Sequence, residues 1–408
     1  MKWLSAYPKE AIVFIAASFV NSLGSAFMWP LTTLYVYHEL HRPMADAGFV
    51  LMLQSLAGIA GQFIGGSLFH RLGAKSLIVG SLLLCGISQL SILFTRDWSV
   101  YVFIMSLLGL LNSVSTPAIQ AFIGFRWKEK RNELFNIVYV SNNIGMAIGT
   151  SLAGVLASLS FSFTFLFNSL STIGFALFIL WFMRGMTLVD KREVSVSAIS
   201  NLSEQSPLYL LMQYRIYLFI GLGSASIWFS MALWNSGVAP YLTDMGYNYT
   251  AYSFLWTVNG VVIFFGQPIT SLIKRLWART ISSQLVANAI CYGCGFGFIL
   301  FYHDSYYMLV LGMVIITLGE MLMAPAIPAF ISEKTGLAAP FYLGVAGSFG
   351  SIGRVLGPLL FGRLYDEGGI TPVLLLGTIV SVVAIFLFLF HAAFNRENQG
   401  KHAKNHPA

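Results

Sequence analysis

The sequence predicts an all-α membrane protein of twelve transmembrane helices in two pseudo-symmetric six-helix bundles. Three observations lead there. The chain is 57% hydrophobic and only 10% charged, with a mean hydropathy of +0.74, whereas a soluble domain carries roughly 25% charged residues. Apolar runs long enough to cross a ~30 Å hydrocarbon core recur along almost the whole length. Short motifs of the first half return in the second at a near-constant spacing.

The predicted spans are 11–37, 45–69, 76–95, 99–123, 134–158, 161–183, 216–241, 250–273, 281–302, 306–331, 341–363 and 371–392. Their connections are short except for 184–215, a charged and Ser-rich stretch that reads as a linker. The expected organisation is a bundle at 1–183, a cytoplasmic linker at 184–215, a second bundle at 216–392 and a cytoplasmic tail at 393–408. The first run follows Lys2 and Lys9 as a secretory signal would. It continues past Trp29 and Pro30 to Tyr37, too far for a signal, so a retained first helix is expected.

Orientation follows from the cations. With a cytoplasmic N-terminus, nineteen of the 23 Lys and Arg fall on inner segments; Arg42, Arg96 and Arg363 fall outside, and Arg354 falls within a span. This bias predicts a multi-pass protein of the inner or plasma membrane with both termini cytoplasmic. The net charge of +7 then describes a basic rim facing lipid headgroups and calls for no nucleic-acid partner.

Cys85, Cys291 and Cys294 all lie in predicted spans, and "CYGC" at 291–294 lacks both the four ligands of a zinc site and the sheet-flanked helix start of a redox site. No cofactor or metal is expected. The sequence holds no G-x-x-x-x-G-K-[ST], H-E-x-x-H or G-x-S-x-G, which argues against ATP-driven pumping and the commoner hydrolase chemistries. A monomeric non-enzyme is expected, with a small-molecule substrate, protons and membrane lipids as partners.

The internal repeat sharpens this reading. Pro117 and Pro325 are 208 residues apart, as are Gly145 and Gly353, Gly149 and Gly357, and Gly154 and Gly362. Spans 4 and 5 therefore return as spans 10 and 11. With a one-residue slip, "GQFIGGSLFHRLGAK" (61–75) returns as "GQPITSLIKRLWAR" (266–279). A parallel repeat of two six-helix halves is the plan of a transporter with its site near the bilayer midplane, at the interface of the halves.

These residues carry a family resemblance. Gly66-Ser-Leu-Phe-His70-Arg71-Leu-Gly73-Ala-Lys75 resembles the signature loop of the major facilitator superfamily, G-x-L-x-D-R-x-G-R-K. Gly353, Gly357, Pro358 and Gly362, with the degenerate copy Gly145, Gly149 and Gly154, resemble the G-x-x-x-G-P-x-x-G-G motif of its antiporters. "LGSAFMWP" (23–30) resembles the first-helix motif of twelve-helix drug:proton antiporters, and "TLGEMLMAP" (317–325) a tenth-helix segment of multidrug members whose glutamate is a proton site. The resemblance implies the major facilitator fold and proton-coupled efflux by alternating access. His70 stands where the loop motif has Asp, Ala74 replaces the following Arg, and the family's fourth-helix arginine is absent near Met105. No proton relay is therefore carried over to helix 4, and a latch built on the loop Asp is altered or lost.

Physical reasoning singles out Glu320. It lies roughly fifteen residues from the loop near 335, so ~20 Å into the bilayer, where an ionised carboxylate costs on the order of 2.5–3.5 kcal/mol. A group that trades protons there can couple a gradient to a conformational change. A static reading stands beside it, in which Glu320 is permanently paired with Arg354 on the next, antiparallel span. The two are partly compatible, because a pair that breaks when Glu320 protonates is itself a switch, so Arg354 joins Glu320 as a proton-coupling candidate.

The candidate substrate contacts are Asn21 and Met28 in span 1, Asn112 and Thr116 in span 4, Tyr139 and Asn143 in span 5, Trp228 and Asn235 in span 7, and Trp256 and Asn259 in span 8. Each reads equally as an interhelical hydrogen-bonding or interfacial residue. Together, Met, Trp and Tyr with one acid suit small amphipathic, often cationic, compounds. The alternative cargo is a lipid-linked or metabolite substrate such as a glycolipid, sugar or amino acid. Gly66, His70, Arg71, Gly73 and Lys75 are gate candidates or solvated cations on a turn. Gly145, Gly149, Gly353, Gly357 and Pro358 are hinge candidates or close-packing positions.

Overall fold

A computed structural model of the chain describes residues 7–28, 32, 35–36, 39–184, 210, 216–247 and 249–405. Apart from short 3₁₀ turns, its regular structure is fourteen α-helices: α1 Lys9–Ser25, α2 Met44–Leu72, α3 Ala74–Ser91, α4 Trp98–Arg126, α5 Arg131–Leu159, α6 Phe161–Phe182, α7 Ile216–Asp244, α8 Tyr249–Phe265, α9 Gln267–Leu276, α10 Ile281–Tyr302, α11 Tyr306–Met323, α12 Ala326–Lys334, α13 Ala339–Gly368 and α14 Ile370–Asn405. Each of the twelve predicted runs carries helix. Most of the linker expected at 184–215, and Trp29 and Pro30 of the first span, lie outside the described residues.

Among the described residues nine helical stretches are long and apolar enough to cross a membrane, or ten with the bent α8–α9 pair counted as one. The two remaining runs are α1, described over 17 residues, and α5, where Asn136, Asn142 and Asn143 dilute the apolar run. The stretch expected as a tail from 393 is helical as far as Asn405.

Two sequence breaks shape the spans. Pro325 has no N–H to give to Met321, so span 10 is two helices, α11 and α12, divided one turn beyond Glu320. Pro268 sits at the start of α9 after Gly266, and there α9 departs from α8 by 57°.

The chain divides into two compact units, Met1–Pro207 with Ile331–Ser348, and Leu208–Phe330 with Phe349–Ala408. In the first, α2 packs on α4, α1 on α5 and α6, and α3 on α4 and α6. Glycine sets the closest approach: a Cβ on Gly61 or Gly65 would come within 3 Å of the α4 backbone, and one on Gly109 equally near Gln54 of α2. Phe14 is fully buried with Phe122, Trp127, Phe175 and Phe182 around it. In the second unit α7 packs on α14, α10 on α11 and α14, and α8 on α11, around buried Trp234, Tyr292, Phe296 and Phe388. Large apolar side chains such as Phe103, Phe167, Trp181 and Phe386 stay exposed, as lipid-facing positions must.

Candidate functional site

Glu320 lies fourteen residues from each end of Tyr306–Lys334, the stretch formed by α11 and α12. At 1.5 Å per residue it is ~20 Å from either end. Its side chain is half-buried. The neighbouring residue Gly319 lets α10 come close: a Cβ there would press on Cys291 Cβ, Asn288 O and the Tyr292 ring. Tyr292 is buried within electrostatic range of Glu320. One turn earlier, Asn259 of α8 donates from Nδ2 to Thr317 Oγ1 at 3.0 Å, and Thr317 donates on to Met313 O at 2.7 Å.

Asn288 is fully buried, and neither its Oδ1 nor its Nδ2 has a hydrogen-bond partner among the described residues. An unmet carboxamide in this position is costly, about 1–3 kcal/mol. The polar surroundings of Glu320 are thus built from α8, α10 and α11. Sequence reasoning found Asn259 but missed Thr317, Asn288 and Tyr292. The four-residue spacing of Asn288 and Tyr292 on one face of span 9 was the available signal.

Arg354 makes contacts with α7 and within its own helix. Its guanidinium lies 4.6 Å from the centre of the Trp228 ring, and Nη2 donates to Ser351 Oγ at 3.1 Å. Arg354 and Trp228 therefore form a cation–π pair between α13 and α7. Asn235, also on α7, has a buried Oδ1 with no described partner. Trp256 is half-buried on α8.

In the first unit, Asn143 donates from Nδ2 to Tyr139 O at 2.9 Å, so this pair folds back on its own helix. Asn112 is exposed, and its carbonyl accepts from Ser115 and Thr116. Asn21 has a buried Oδ1 with no described partner. Met28 is placed in the core, where Gln89 Nε2 donates to its sulfur at 3.1 Å. Asn21 and Met28, seven residues and so about two turns apart, thus occupy a half-buried and a core position.

The glycine motifs occupy matching places. Gly145 and Gly149 of α5 face Phe19 and Leu23 of α1 and Ala26 just after it, and Gly353 and Gly357 of α13 face Ala225, Phe229 and Ala232 of α7. A Cβ at any of the four would come within 3 Å of the facing helix. Pro358 lies inside α13, which continues unbroken around it.

The loop after α2 is anchored within its own unit. His70 Nε2 lies 2.5 Å from Leu337 O, so this nitrogen carries the proton and donates. A Cβ on Gly66 would press on Pro340, and the chain turns at Gly73 with φ +79°, a conformation suited to glycine. Lys75 is half-buried and Arg71 exposed. No group of three or more His, Cys, Asp or Glu among the described residues could hold a metal.

The family model described as Major Facilitator Superfamily matches residues 14–339 and again 285–407. The chain belongs to the Major Facilitator Superfamily. The MFS-type transporter YttB of Bacillus subtilis (strain 168) is 31% identical over 386 residues, covering 94% of this chain and 95% of that one. Quinolone resistance protein NorA of Staphylococcus aureus is 21% identical over 360 residues, covering 88% and 90%. Among solved structures, the human organic anion transporter MFSD10 superposes with a TM-score of 0.70 at 15% identity over 94% of this chain and all of that one. FucP, in the outward conformation, gives 0.68 at 16% identity over 94% and 99%. Both show the facilitator fold. As a superfamily member the chain is a multi-pass membrane transporter that binds a small-molecule substrate.

Proposed function

We propose that this transporter exports small amphipathic compounds in exchange for protons across the inner or plasma membrane, with both termini cytoplasmic and Glu320 as the proton carrier. The observation that carries the reading is a carboxylate midway along an apolar stretch, among Asn259, Thr317, Tyr292 and Asn288. A carboxyl group at that depth can exchange its proton for a cationic substrate as the surroundings change. The relative named for quinolone resistance supports the drug-like class of cargo.

The test is transport in proteoliposomes under an imposed pH gradient, with wild type beside Glu320→Gln. Gradient-driven flux should fall at least about tenfold, while equilibrium binding of a lipophilic cation remains measurable. Unchanged flux in the variant would remove the proposal.

A further inference from the structure

We infer that α9 and the turn after it form a binding site for an anionic phospholipid headgroup. The geometry points to this at the end of span 8. Pro268 turns α9 by 57° from α8, so its ten residues run off the direction of the preceding helix. Its side chains separate into two stripes. Ile269, Leu272 and Leu276 are exposed, and Trp277, which follows them, is 82% exposed. Ser271, Lys274, Arg275 and Arg279 recur at three- and four-residue spacing and line one open cleft of about 630 Å³.

A helix with one apolar and one cationic stripe, inclined to the spanning direction, lies in the headgroup boundary with its apolar face toward the acyl chains. An exposed tryptophan at its end suits the same depth. The cleft itself is complementary to an anion. Among the described residues its lining holds three cations and no carboxylate, and none of the three takes part in a described ion pair. Arg279 Nε donates to Arg275 O at 3.0 Å, which ties the turn back to α9 and keeps the cations together.

A phosphodiester headgroup would meet Lys274, Arg275 and Arg279 with its oxygens, and Ser271 would supply a hydroxyl. Its acyl chains would lie along Ile269, Leu272 and Leu276. A free phosphate satisfies only the cationic stripe. The exposed apolar stripe and Trp277 argue for the lipid.

The experiment places the full-length protein in phosphatidylcholine nanodiscs doped with phosphatidylglycerol brominated in its acyl chains. The quenching difference between wild type and Trp277→Phe isolates Trp277 from the other eight tryptophans. Half-quenching is expected at a lower mole fraction of brominated phosphatidylglycerol than of brominated phosphatidylcholine. Neutralising the cations in Lys274→Ala/Arg275→Ala/Arg279→Ala should erase that preference, with roughly a fivefold loss of apparent affinity per charge removed. The same number of charges removed in Lys9→Ala/Lys128→Ala/Lys334→Ala should leave it intact.

Equal quenching by the two lipids would overturn the inference, as would equal loss in both triple variants. Displacement of phosphatidylglycerol by millimolar inorganic phosphate would also overturn it, by showing that the apolar stripe contributes nothing. Thermal unfolding of both triple variants at the wild-type Tm establishes that any lost preference comes from the cleft.

Discussion

In the first copy of the loop repeat, residues 61–75, Gly61-Gln62 leads into Phe63 and α2 runs unbroken to Leu72. In the second copy, residues 266–279, Gly266-Gln267 leads into Pro268 and the span bends by 57°. The partners differ as much as the backbones. Phe63 stacks edge-on against Phe341, Gly66 packs at Pro340, Gln62 at Gly344 and Gly347, and His70 donates to Leu337 O. Lys274, Arg275 and Arg279, which align with His70, Arg71 and Lys75, line an open cleft instead. Gly73 turns the first copy through positive φ, whereas Trp277 ends α9 at φ −123°. One ancestral pattern thus serves protein packing in one half and an open cationic surface in the other. The choice turns on a proline, a glycine and a single swap of His for Lys.

The sharpest way to break that contrast is to give the first copy the second copy's proline. Phe63→Pro removes an N–H inside α2 together with the Phe341 contact, and should destabilise by about 3 kcal/mol or more. A marked fall in Tm in detergent checks this. Pro268→Phe, at the start of α9, should leave Tm near that of the wild type.

Gly66→Val comes next. Its Cβ would press on Pro340 O, and overpacking of this kind costs about 1–3 kcal/mol. Valine in place of Ser271, which lines the open cleft, should be close to neutral by the same Tm measurement. His70→Asp replaces the donor to Leu337 O with an acceptor. The bond is lost, and thiol labelling of a Leu337→Cys reporter should speed up several-fold; unchanged labelling would show that the bond holds nothing in place.

Arg131→Gln should show the smallest effect. Arg131 meets Glu333 at 3.7 Å and Ser332 O at 3.3 Å near the protein surface, a pair worth about 0.2–1 kcal/mol. Its contribution should shrink further in high salt.

The spans, the repeat and the glycine pairs were legible because they rest on length, spacing and small size, which chain order preserves. Side-chain partners were less so. Arg354 and Glu320 stand at similar depths by residue count, yet the rotation of α13 turns the guanidinium onto Trp228, and depth alone does not specify that rotation. Met28 shared a helical stripe with Asn21 but points into the core, because a lipid-facing, a core and a cavity-lining methionine look alike in an apolar run. Span 8 read as a single run because Ile269, Leu272 and Ile273 carry it past Pro268, and the 57° bend shows only in the backbone geometry. Asn288 and Tyr292 carried the right spacing, but polar residues of span 9 lacked a counterpart in the recognised motifs.

The four glycines of the paired motif set the size of the moving parts. With backbone pressed on backbone at Gly145 and Gly149 against α1, and at Gly353 and Gly357 against α7, neither couple has side chains between its members to act as a bearing. A turnover cycle built on this chain would shift such couples as solid yokes and keep its slack elsewhere, where bulkier residues roll past one another.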